Sequence, residues 1–516
     1  MVGTISNLPL DILVMIIENL DICSATCLSM TSRTIHETVY CRPSSLAIVR
    51  NCLEKEKIPL ASFPLSLMDP LAIINLATRR HRFSSMLKKI DLNEPVLPKG
   101  KRIDINLCYP NITAAHKAAL PSDKIVRIAR AMRPAIFPGG RWIAVVSRQS
   151  SQWHFLCYDV QMPVMDHLYH PVIVIDLPVE PVEISDIYIT CIEYSSKDSS
   201  FGVTLSSEPP REDRRNSTSN TWNFFFRLHI QHKTHRLSYS VFPLPAFDTD
   251  MNWRIDLSGD YVFFEAFETS AACLWDWRNN LISQAVHPPA VLESLSRRGR
   301  FILGSNGKLI HLDGEVAGVT LNLWFKIWTQ LSRVDSAGKN PLRLLRHESL
   351  EHRFLSITIA MDPPTVSIEL DTWTETENEI LMRVIVQSAS WKQEYLFVTM
   401  DKETYTPRCF HHDVMRSTTQ EALRMRTSGR FRFIHYIPRM ITITFPFFAD
   451  RMLSIPRREG DLMAGKRAGN PHAFCARSGR LLLSIERSKE GDHAVNPSAS
   501  EHGYNFKSVS IIQVLD

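Results

Sequence analysis

Apolar and polar positions near the start of the chain follow a helical spacing. Leu8-Pro9 is followed by Asp11, which stands where a helix N-cap is expected. The apolar residues after it recur every three or four positions, and this spacing predicts an amphipathic helix of about two to three turns. These apolar positions are Ile12, Leu13, Ile16, Ile17 and Leu20.

The same pattern predicts two further short helices. Ser24 is the expected N-cap of the second helix, which contains Leu28, and the third begins near Thr31 or Ser32 with Ile35 four residues before Val39. So short a unit has too little interior to bury every apolar face of three helices. We therefore expect the surplus apolar face to contact a partner.

These residues resemble the F-box, the helical module through which substrate receptors of SCF-type ubiquitin ligases bind a small adaptor subunit. The family opens with Leu-Pro and a Leu/Ile-rich helix, and later has Leu-Ser and Ser-Lys/Arg pairs, matched here by Leu28-Ser29 and Ser32-Arg33. Ile35 stands where the family usually has Trp, and Ala25-Thr26 where it usually has a leucine pair. The resemblance implies these adaptor-binding residues: Leu8, Pro9, Ile12, Leu13, Ile16, Ile17, Leu20, Leu28 and Ile35. The alternative is an ordinary three-helix cap on a larger domain.

A helical linker is predicted after this module. Asp69-Pro70 combines an N-cap residue with a proline at the first helical position, and apolar residues at helical spacing continue to Ile90. One short strand is expected near Ile103 to Leu107. From about residue 122 onward, the sequence pattern changes to short predicted strands separated by turn residues.

A weak internal repeat runs through this second half. Each copy has a glycine turn followed by a charged residue and an apolar strand, which predicts β-structure. The glycines are Gly140, Gly259, Gly299, Gly429 and Gly479. Their spacings of 119, 40, 130 and 50 residues correspond to one blade of a β-propeller in two cases and to about three blades with insertions in the other two.

Three strand-like segments end in a polar turn at Asp159, Asp276 and Asp401. The Trp275-Asp276 pair resembles the end of a WD-repeat blade, in which the Asp braces a turn and the Trp packs between sheets. The strand at 509–515 is expected to close the ring by pairing near the start of the β-region. We expect loops at 206–221 and at 456–472.

The predicted fold is therefore α+β and multidomain. A three-helix F-box occupies residues 1–42, a helical linker residues 43–121, and an all-β domain residues 122–516, which we expect to be propeller-like with about six or seven blades. A β-sandwich with extra hairpins is the alternative for the β-region.

Composition narrows the functional classes. The chain has 516 residues, 44% of them hydrophobic, with a net charge of +5. So slight an excess over this length disfavours a nucleic-acid protein. The ten cysteines form no CxxC pair, and we interpret them as reduced, mostly buried thiols. No apolar run is long enough to span a membrane. We expect a cytoplasmic or nuclear protein.

Candidate catalytic motifs are weak. Residues 460–466 have the GxxxxGK spacing of a phosphate-binding loop, but Arg467 replaces the Ser/Thr that would bind magnesium. His411 and His412 are adjacent, so on a strand they point to opposite faces and cannot readily hold one ion. We expect no catalytic residues, no cofactor and no metal.

The resemblance implies a non-enzymatic substrate receptor of an SCF-type cullin-RING ubiquitin ligase. Its partners would be the adaptor, the cullin bound through that adaptor, and an unknown protein client held by the β-domain. Two alternatives remain open. One is an F-box-like scaffold that acts outside ubiquitination, and the other is a propeller-fold carbohydrate-binding or hydrolytic protein with an unrelated helical cap.

Overall fold

The computed structural model describes the N-terminal helices and the strands of the β-region. The residues described are 5, 8–89, 102–108, 134–149, 152–160, 168–178, 186–208, 223–231, 236–242, 253–266, 271–279, 281–286, 301–303, 309–317, 320–329, 342–344, 346–347, 353–358, 366–375, 379–388, 393–415, 433–437, 440–445, 448–456, 467–475, 480–486 and 506–513.

Five α-helices form what we call the helical module, residues 8–89. They are α1 (Leu10–Asn19), α2 (Ile22–Ser29), α3 (Arg33–Val39), α4 (Arg42–Lys55) and α5 (Pro70–Lys89), with a short 3-10 turn at Leu60–Ser62 between the last two. Among the described helices, none has both the length and the apolar character that crossing a membrane requires.

Two predicted helix starts are confirmed. The Ser32 side chain accepts a hydrogen bond from the Ile35 N–H at the start of α3 (3.2 Å). At α5, the Asp69 carboxylate accepts one from the Ala72 N–H (2.8 Å), and Pro70 is the first helical residue. Both caps act within three residues, so they can be recognised from sequence.

Two other predicted starts are wrong. The first helix has Pro9 as its N-cap, and Asp11 lies inside the first turn, where its charge still favours the helix dipole. The second helix starts earlier than predicted because Asp21, rather than Ser24, is its N-cap. The Asp21 carboxylate accepts hydrogen bonds from the N–H groups of Cys23 (2.9 Å) and Ser24 (3.0 Å).

The interior of the helical module is aliphatic. Ile17, Ile22 and Ile35 from the first three helices pack in one cluster with residues such as Val49 of α4 and Ile74 of α5. A large part of the apolar surface predicted to need a partner is thus covered by helices of the same chain.

Thirty strands are described in the remainder of the chain. They are β1 (Arg102–Cys108), β2 (Ala135–Ile136), β3 (Trp142–Gln149), β4 (Gln152–Asp159), β5 (Leu168–Tyr169), β6 (Pro171–Leu177), β7 (Asp186–Ser195), β8 (Ser200–Glu208), β9 (Asn223–Ile230), β10 (Leu237–Phe242), β11 (Trp253–Ser258), β12 (Tyr261–Ala266), β13 (Ala271–Asp276), β14 (Leu281–Val286), β15 (Phe301–Leu303), β16 (Leu309–Ala317), β17 (Thr320–Thr329), β18 (Leu342–Leu344), β19 (Arg346–His347), β20 (Arg353–Thr358), β21 (Val366–Glu375), β22 (Glu379–Ser388), β23 (Gln393–Asp401), β24 (Pro407–Met415), β25 (Phe433–Ile437), β26 (Met440–Phe445), β27 (Phe448–Pro456), β28 (Arg467–Cys475), β29 (Arg480–Glu486) and β30 (Phe506–Gln513).

Within the described part of the chain, these strands form seven sheets in sequence order, which together we call the β-domain. The strand orders are β2-β3-β4-β6 in sheet 1, β7-β8-β9-β10 in sheet 2, β11-β12-β13-β14-β18 in sheet 3, β15-β16-β17-β19 with β20 also on β17 in sheet 4, β21-β22-β23-β24 in sheet 5, β25-β26-β27 in sheet 6, and β28-β29-β30-β1-β5 in sheet 7. All pairings are antiparallel except β14 with β18 and β1 with β5.

Sheet 7 joins the two ends of the β-region. Its strand β30 pairs antiparallel with β1, with Arg102 opposite Ile512 and Cys108 opposite Phe506. The predicted closure by the last strand is confirmed, and consecutive sheets closed by the first and last strands make the domain β-propeller-like. The closing strand β1 precedes residue 122, and the predicted domain boundaries themselves stay predictions.

The glycine repeat marks where strands begin, but the predicted number of blades between its copies is wrong. Each of the five glycines is followed within four residues by a described strand: β3, β12, β15, β25 or β29. The spacings of 119 and 130 residues each cover two sheets instead of three. Connections between strands lengthen the repeat; for example, β8 ends at Glu208 and β9 begins at Asn223.

The aspartates predicted at strand ends occupy equivalent places. Asp159, Asp276 and Asp401 each end the third strand of a sheet, in sheets 1, 3 and 5. The Asp276 carboxylate accepts hydrogen bonds from the backbone N–H (3.1 Å) and side-chain amide (2.8 Å) of Asn279, and Trp275 packs edge-on against Phe225 of sheet 2. The predicted brace and the predicted packing between sheets are both confirmed at this site.

Both predicted loops overlap strands. Residues 206–208 belong to β8 and residues 467–472 to β28, because backbone pairing with neighbouring strands continues through these polar stretches. The parts of the two predicted loops at 209–221 and 457–466 lie outside the described residues.

Neighbouring sheets pack through apolar cores. One core lies between sheets 1 and 2 and contains Trp142, Phe155 and Phe226, and another lies between sheets 4 and 5 and contains Phe325 and Met382. Ala61 of the helical module belongs to the first of these cores. The helical module therefore packs directly on the first two sheets.

Candidate docking site

Helix α1 presents two different apolar faces. On one face, Leu13 is 1% exposed and Ile17 is fully buried in the helical core. On the other, Ile12 is 39% and Met15 is 60% exposed, and Leu8 lies exposed just before the helix. Ile12 and Met15 are three residues apart on α1 and so lie on one exposed face of the helix, and the exposed Leu8 precedes this helix; we call these three residues the exposed apolar stripe.

The nine predicted adaptor-binding residues fall into three groups. Leu8, Pro9 and Ile12 are exposed, Ile16, Leu20 and Leu28 are half-buried, and Leu13, Ile17 and Ile35 are buried. Ile17 and Ile35 are covered by α4 and α5 rather than by the β-domain. The buried Ile17 and Ile35 therefore hold α1 and α3 against the rest of the helical module. Adaptor binding by any of the nine residues stays a prediction.

Exposed apolar residues missed in the sequence analysis include Leu10, Met15 and Met30, which are 63%, 60% and 81% exposed. Met15 completes the exposed stripe, and Met30, at the end of α2, is among the most exposed apolar side chains of the helical module. The signal for Met15 is its spacing from Ile12, which separates it from the stripe formed by Leu13, Ile17 and Leu20. Methionine is also adaptable in shape, which suits a binding surface.

The prediction of mostly buried thiols is wrong for the helical module. Cys23 and Cys27 are exposed on α2, one turn apart, whereas Cys157 and Cys273 are buried in the β-domain. Partial burial, together with the nearby Asp21 and Cys27, raises the pKa of Cys23. Burial raises the pKa of Cys273 to about 12. The Cys23 thiol is therefore exposed but neutral at physiological pH.

The start of α2 is fixed by an ionised cap. A hydrogen bond from the Ser24 hydroxyl to the Asp21 carboxylate, with the backbone N–H groups of Ser24 and Cys23, lowers the pKa of Asp21. An ionised Asp21 then holds the α1–α2 corner in one geometry.

The second contact of the module with the β-domain is built from polar groups. The Ser62 hydroxyl donates to the Pro138 carbonyl (3.2 Å), and the Arg141 guanidinium donates to the Ala61 carbonyl. The same guanidinium donates two hydrogen bonds to Asp159 Oδ2 (2.6 and 2.9 Å) in a nearly buried ion pair. Gly139 has a left-handed φ of +90°, and a Cβ there would overlap Ser62.

The structure describes one of the two candidate catalytic motifs. His411 and His412 lie on β24, and residues 460–466 lie outside the described part of the chain. Among the described residues, no group of three or more His, Cys, Asp or Glu side chains is arranged to hold a metal ion.

Comparison with known proteins identifies the first helices. Residues 5–41 match the F-box domain family. Among curated proteins, no sequence match to this chain was found.

Solved structures resemble the chain only loosely. The WD40 domain of a Toxoplasma gondii coronin is 7% identical, with 82% of this chain and 88% of that chain covered and a TM-score of 0.35. The WD40 domain of SCAP from fission yeast is 8% identical, with 75% and 86% covered and a TM-score of 0.36. The periplasmic gluconolactonase of Pseudomonas aeruginosa is 9% identical, with 63% and 84% covered and a TM-score of 0.34. The description of the β-domain as propeller-like rests on its own sheet order.

Proposed function

We propose that this chain, an F-box protein with a β-propeller-like C-terminal region, is a substrate receptor of an SCF-type cullin-RING E3 ubiquitin ligase. F-box domains generally bind the small adaptor subunit of these ligases. In this proposal the helical module binds the adaptor, the adaptor binds the cullin, and the β-domain holds a protein client in the cytoplasm or nucleus.

The observation that supports adaptor binding is the exposed stripe of Leu8, Ile12 and Met15 within the F-box match. The opposite face of the same helix is already buried by α4 and α5, so the stripe is free for another chain. An exposed apolar surface rimmed by polar residues such as Asp11 and Asn19 is typical of a protein interface.

The mechanism implied is proximity. Tethering a client to the ligase raises the effective concentration of its lysines at the conjugating enzyme. The residues that catalyse ubiquitin transfer would lie on other subunits, and this chain would supply no catalytic group. Its task would be to bind two partners at once.

The test is copurification of the adaptor with wild type and with the double variant Ile12→Asp, Met15→Asp. Two carboxylates on the stripe would have to be desolvated at the interface, so we expect adaptor affinity to fall about thirtyfold or more. Leu67→Asp is the matched control, because Leu67 is 85% exposed and lies outside the F-box match. Equal adaptor recovery from all three proteins would refute binding through this stripe.

Leu13 and Ile17 are unsuitable for this experiment. A carboxylate in place of either would be buried in the aliphatic core and would unfold the helices, whatever they bind.

Recovery of cullin together with the adaptor separates the ligase function from a scaffold outside ubiquitination, for which adaptor would be recovered alone.

A further inference from the structure

Lys57 has an unusual backbone conformation at the end of α4. Its φ is +54°, in the left-handed region that favours glycine. The Ile58 N–H donates to the Leu53 carbonyl (2.8 Å) and the Lys57 N–H to the Glu54 carbonyl (2.9 Å), which is the Schellman arrangement with glycine normally at this position. A lysine is less favourable than glycine in this conformation, and its side chain makes a contact outside the helical module.

That contact is an ion pair with the β-domain. Lys57 Nζ pairs with Glu193 Oε1 on β7 of sheet 2, and the Glu193 side chain is only 11% exposed. The second carboxylate oxygen, Oε2, accepts a hydrogen bond from the Gly259 N–H (2.7 Å). Gly259 forms the left-handed turn between β11 and β12 of sheet 3. One carboxylate thus joins the end of α4, sheet 2 and sheet 3.

The segment after Lys57 is held a second time, on sheet 1. Ala61 and Ser62 accept from Arg141 and donate to Pro138, respectively. Residues 57–62 are therefore bonded directly to sheets 1 and 2, and only through Glu193 to sheet 3. A segment bonded at both ends in this way cannot rotate without breaking one set of contacts.

We propose that Glu193 is a positioning residue that fixes the helical module on the β-domain in one orientation, through the strained Lys57 on one side and the Gly259 turn on the other. Its consequence for client transfer rests on the proposed function. With a fixed orientation, an adaptor on the α1 stripe and a client on the β-domain stay at a constant separation, and a constant separation raises effective concentration.

The test is hydrogen–deuterium exchange on the free full-length chain, with Glu193→Gln and Lys57→Gly. We expect exchange in peptides covering 58–63 and 137–142 to rise about tenfold in both variants, with exchange in α1 to α3 unchanged. Lys57→Gly is decisive because glycine suits the left-handed position. A merely local role for residue 57 predicts slower or equal exchange at the end of α4.

Lys197→Gln is the matched control. The Lys197 side chain is largely exposed and pairs with Asp260 at 3.1 Å, so its loss should leave both peptides at the wild-type rate. Wild-type exchange in both Glu193→Gln and Lys57→Gly would overturn the proposal.

Adaptor affinity is measured separately on the same variants. We expect it to stay within about twofold of wild type, because Glu193 and Lys57 lie outside residues 5–41. If wild type fails to bind adaptor, the proposed function fails while the exchange result still decides the role of Glu193. If wild type binds adaptor and exchange is unchanged in the variants, the positioning role fails alone.

Discussion

The helical module and the β-domain are stabilised by different kinds of side chain. Among the described residues, the hydrophobic core of the module is built from buried Ile, Leu, Val and Ala side chains. The cores of the first three sheets add aromatic rings, such as Trp142 against Phe201 and Trp275 against Phe225. All ten tryptophans of the chain lie between residues 142 and 391.

Among the described residues, buried arginines occur only in the β-domain. Arg141 pairs with Asp159, and Arg227, 1% exposed, pairs with Asp198 and donates to Ser200. Each guanidinium also lies over an indole ring, that of Trp142 at 4.8 Å and that of Trp277 at 4.6 Å. An arginine bonded in several directions fixes neighbouring strands and the turns beside them, which an aliphatic side chain cannot do.

The difference shows how each part specifies its geometry. Aliphatic contacts are not directional, so the helices rely on local caps such as Asp21 and Ser32 to set where they start. The sheets use directional polar contacts between strands instead. This comparison makes three predictions, in order of decreasing effect.

Asp159→Ala tests the buried ion pair of the β-domain. It would leave the Arg141 guanidinium buried without its carboxylate, so we expect a loss of about 4 kcal/mol in the free energy of unfolding. Tryptophan fluorescence measures this in urea, because it reports the β-domain alone. Asp176→Ala is the control: Asp176 pairs with His154 in the same sheet but is largely exposed, and about 0.5 kcal/mol or less is expected. Equal losses in the free energy of unfolding for the two variants would contradict the larger contribution expected of the buried ion pair.

Ile17→Ala tests the aliphatic core of the module. It would leave a cavity between α1 and the covering helices, and we expect a loss of about 3 kcal/mol. Far-UV circular dichroism at 222 nm follows the helices in this experiment. Met15→Ala, on the exposed face of the same helix, should change stability by about 0.5 kcal/mol or less. A comparable loss at Met15 would show that the stripe is not free in the isolated chain.

Asp21 variants test the local cap and give the smallest effect. Asp21→Ala should cost about 1 kcal/mol, whereas Asp21→Asn keeps a side chain that caps well. The pKa of Asp21 is lowered in the folded chain, so the stability due to its charge is present above the unfolded pKa of about 3.9 and is lost as pH falls through the folded pKa. Helical signal against pH should therefore begin to converge for wild type and Asp21→Asn near pH 4, and the convergence should be complete below the folded pKa of Asp21. A constant difference at all pH values would argue against an ionised cap.

The sequence by itself determined the local features of this protein. The starts of α3 and α5 and the aspartates at strand ends were predicted correctly, because caps and turns act within three residues. The closure by the last strand joins residues about 400 positions apart, and it was predicted from the requirement of a propeller-like ring that its last strand pair near its start. Two helix starts were misplaced where two candidate caps stood close together, as with Asp21 and Ser24.

Only the tertiary structure decided which apolar residues of α1 are covered. Helical spacing groups Leu13 with Ile17 and Ile12 with Met15, but it cannot say which face meets α4 and α5, since those helices come more than twenty residues later. The same holds for Lys57 and Glu193, which are 136 residues apart in the chain. Burial and ion pairing over such separations follow from how whole elements pack, and no local pattern records that packing.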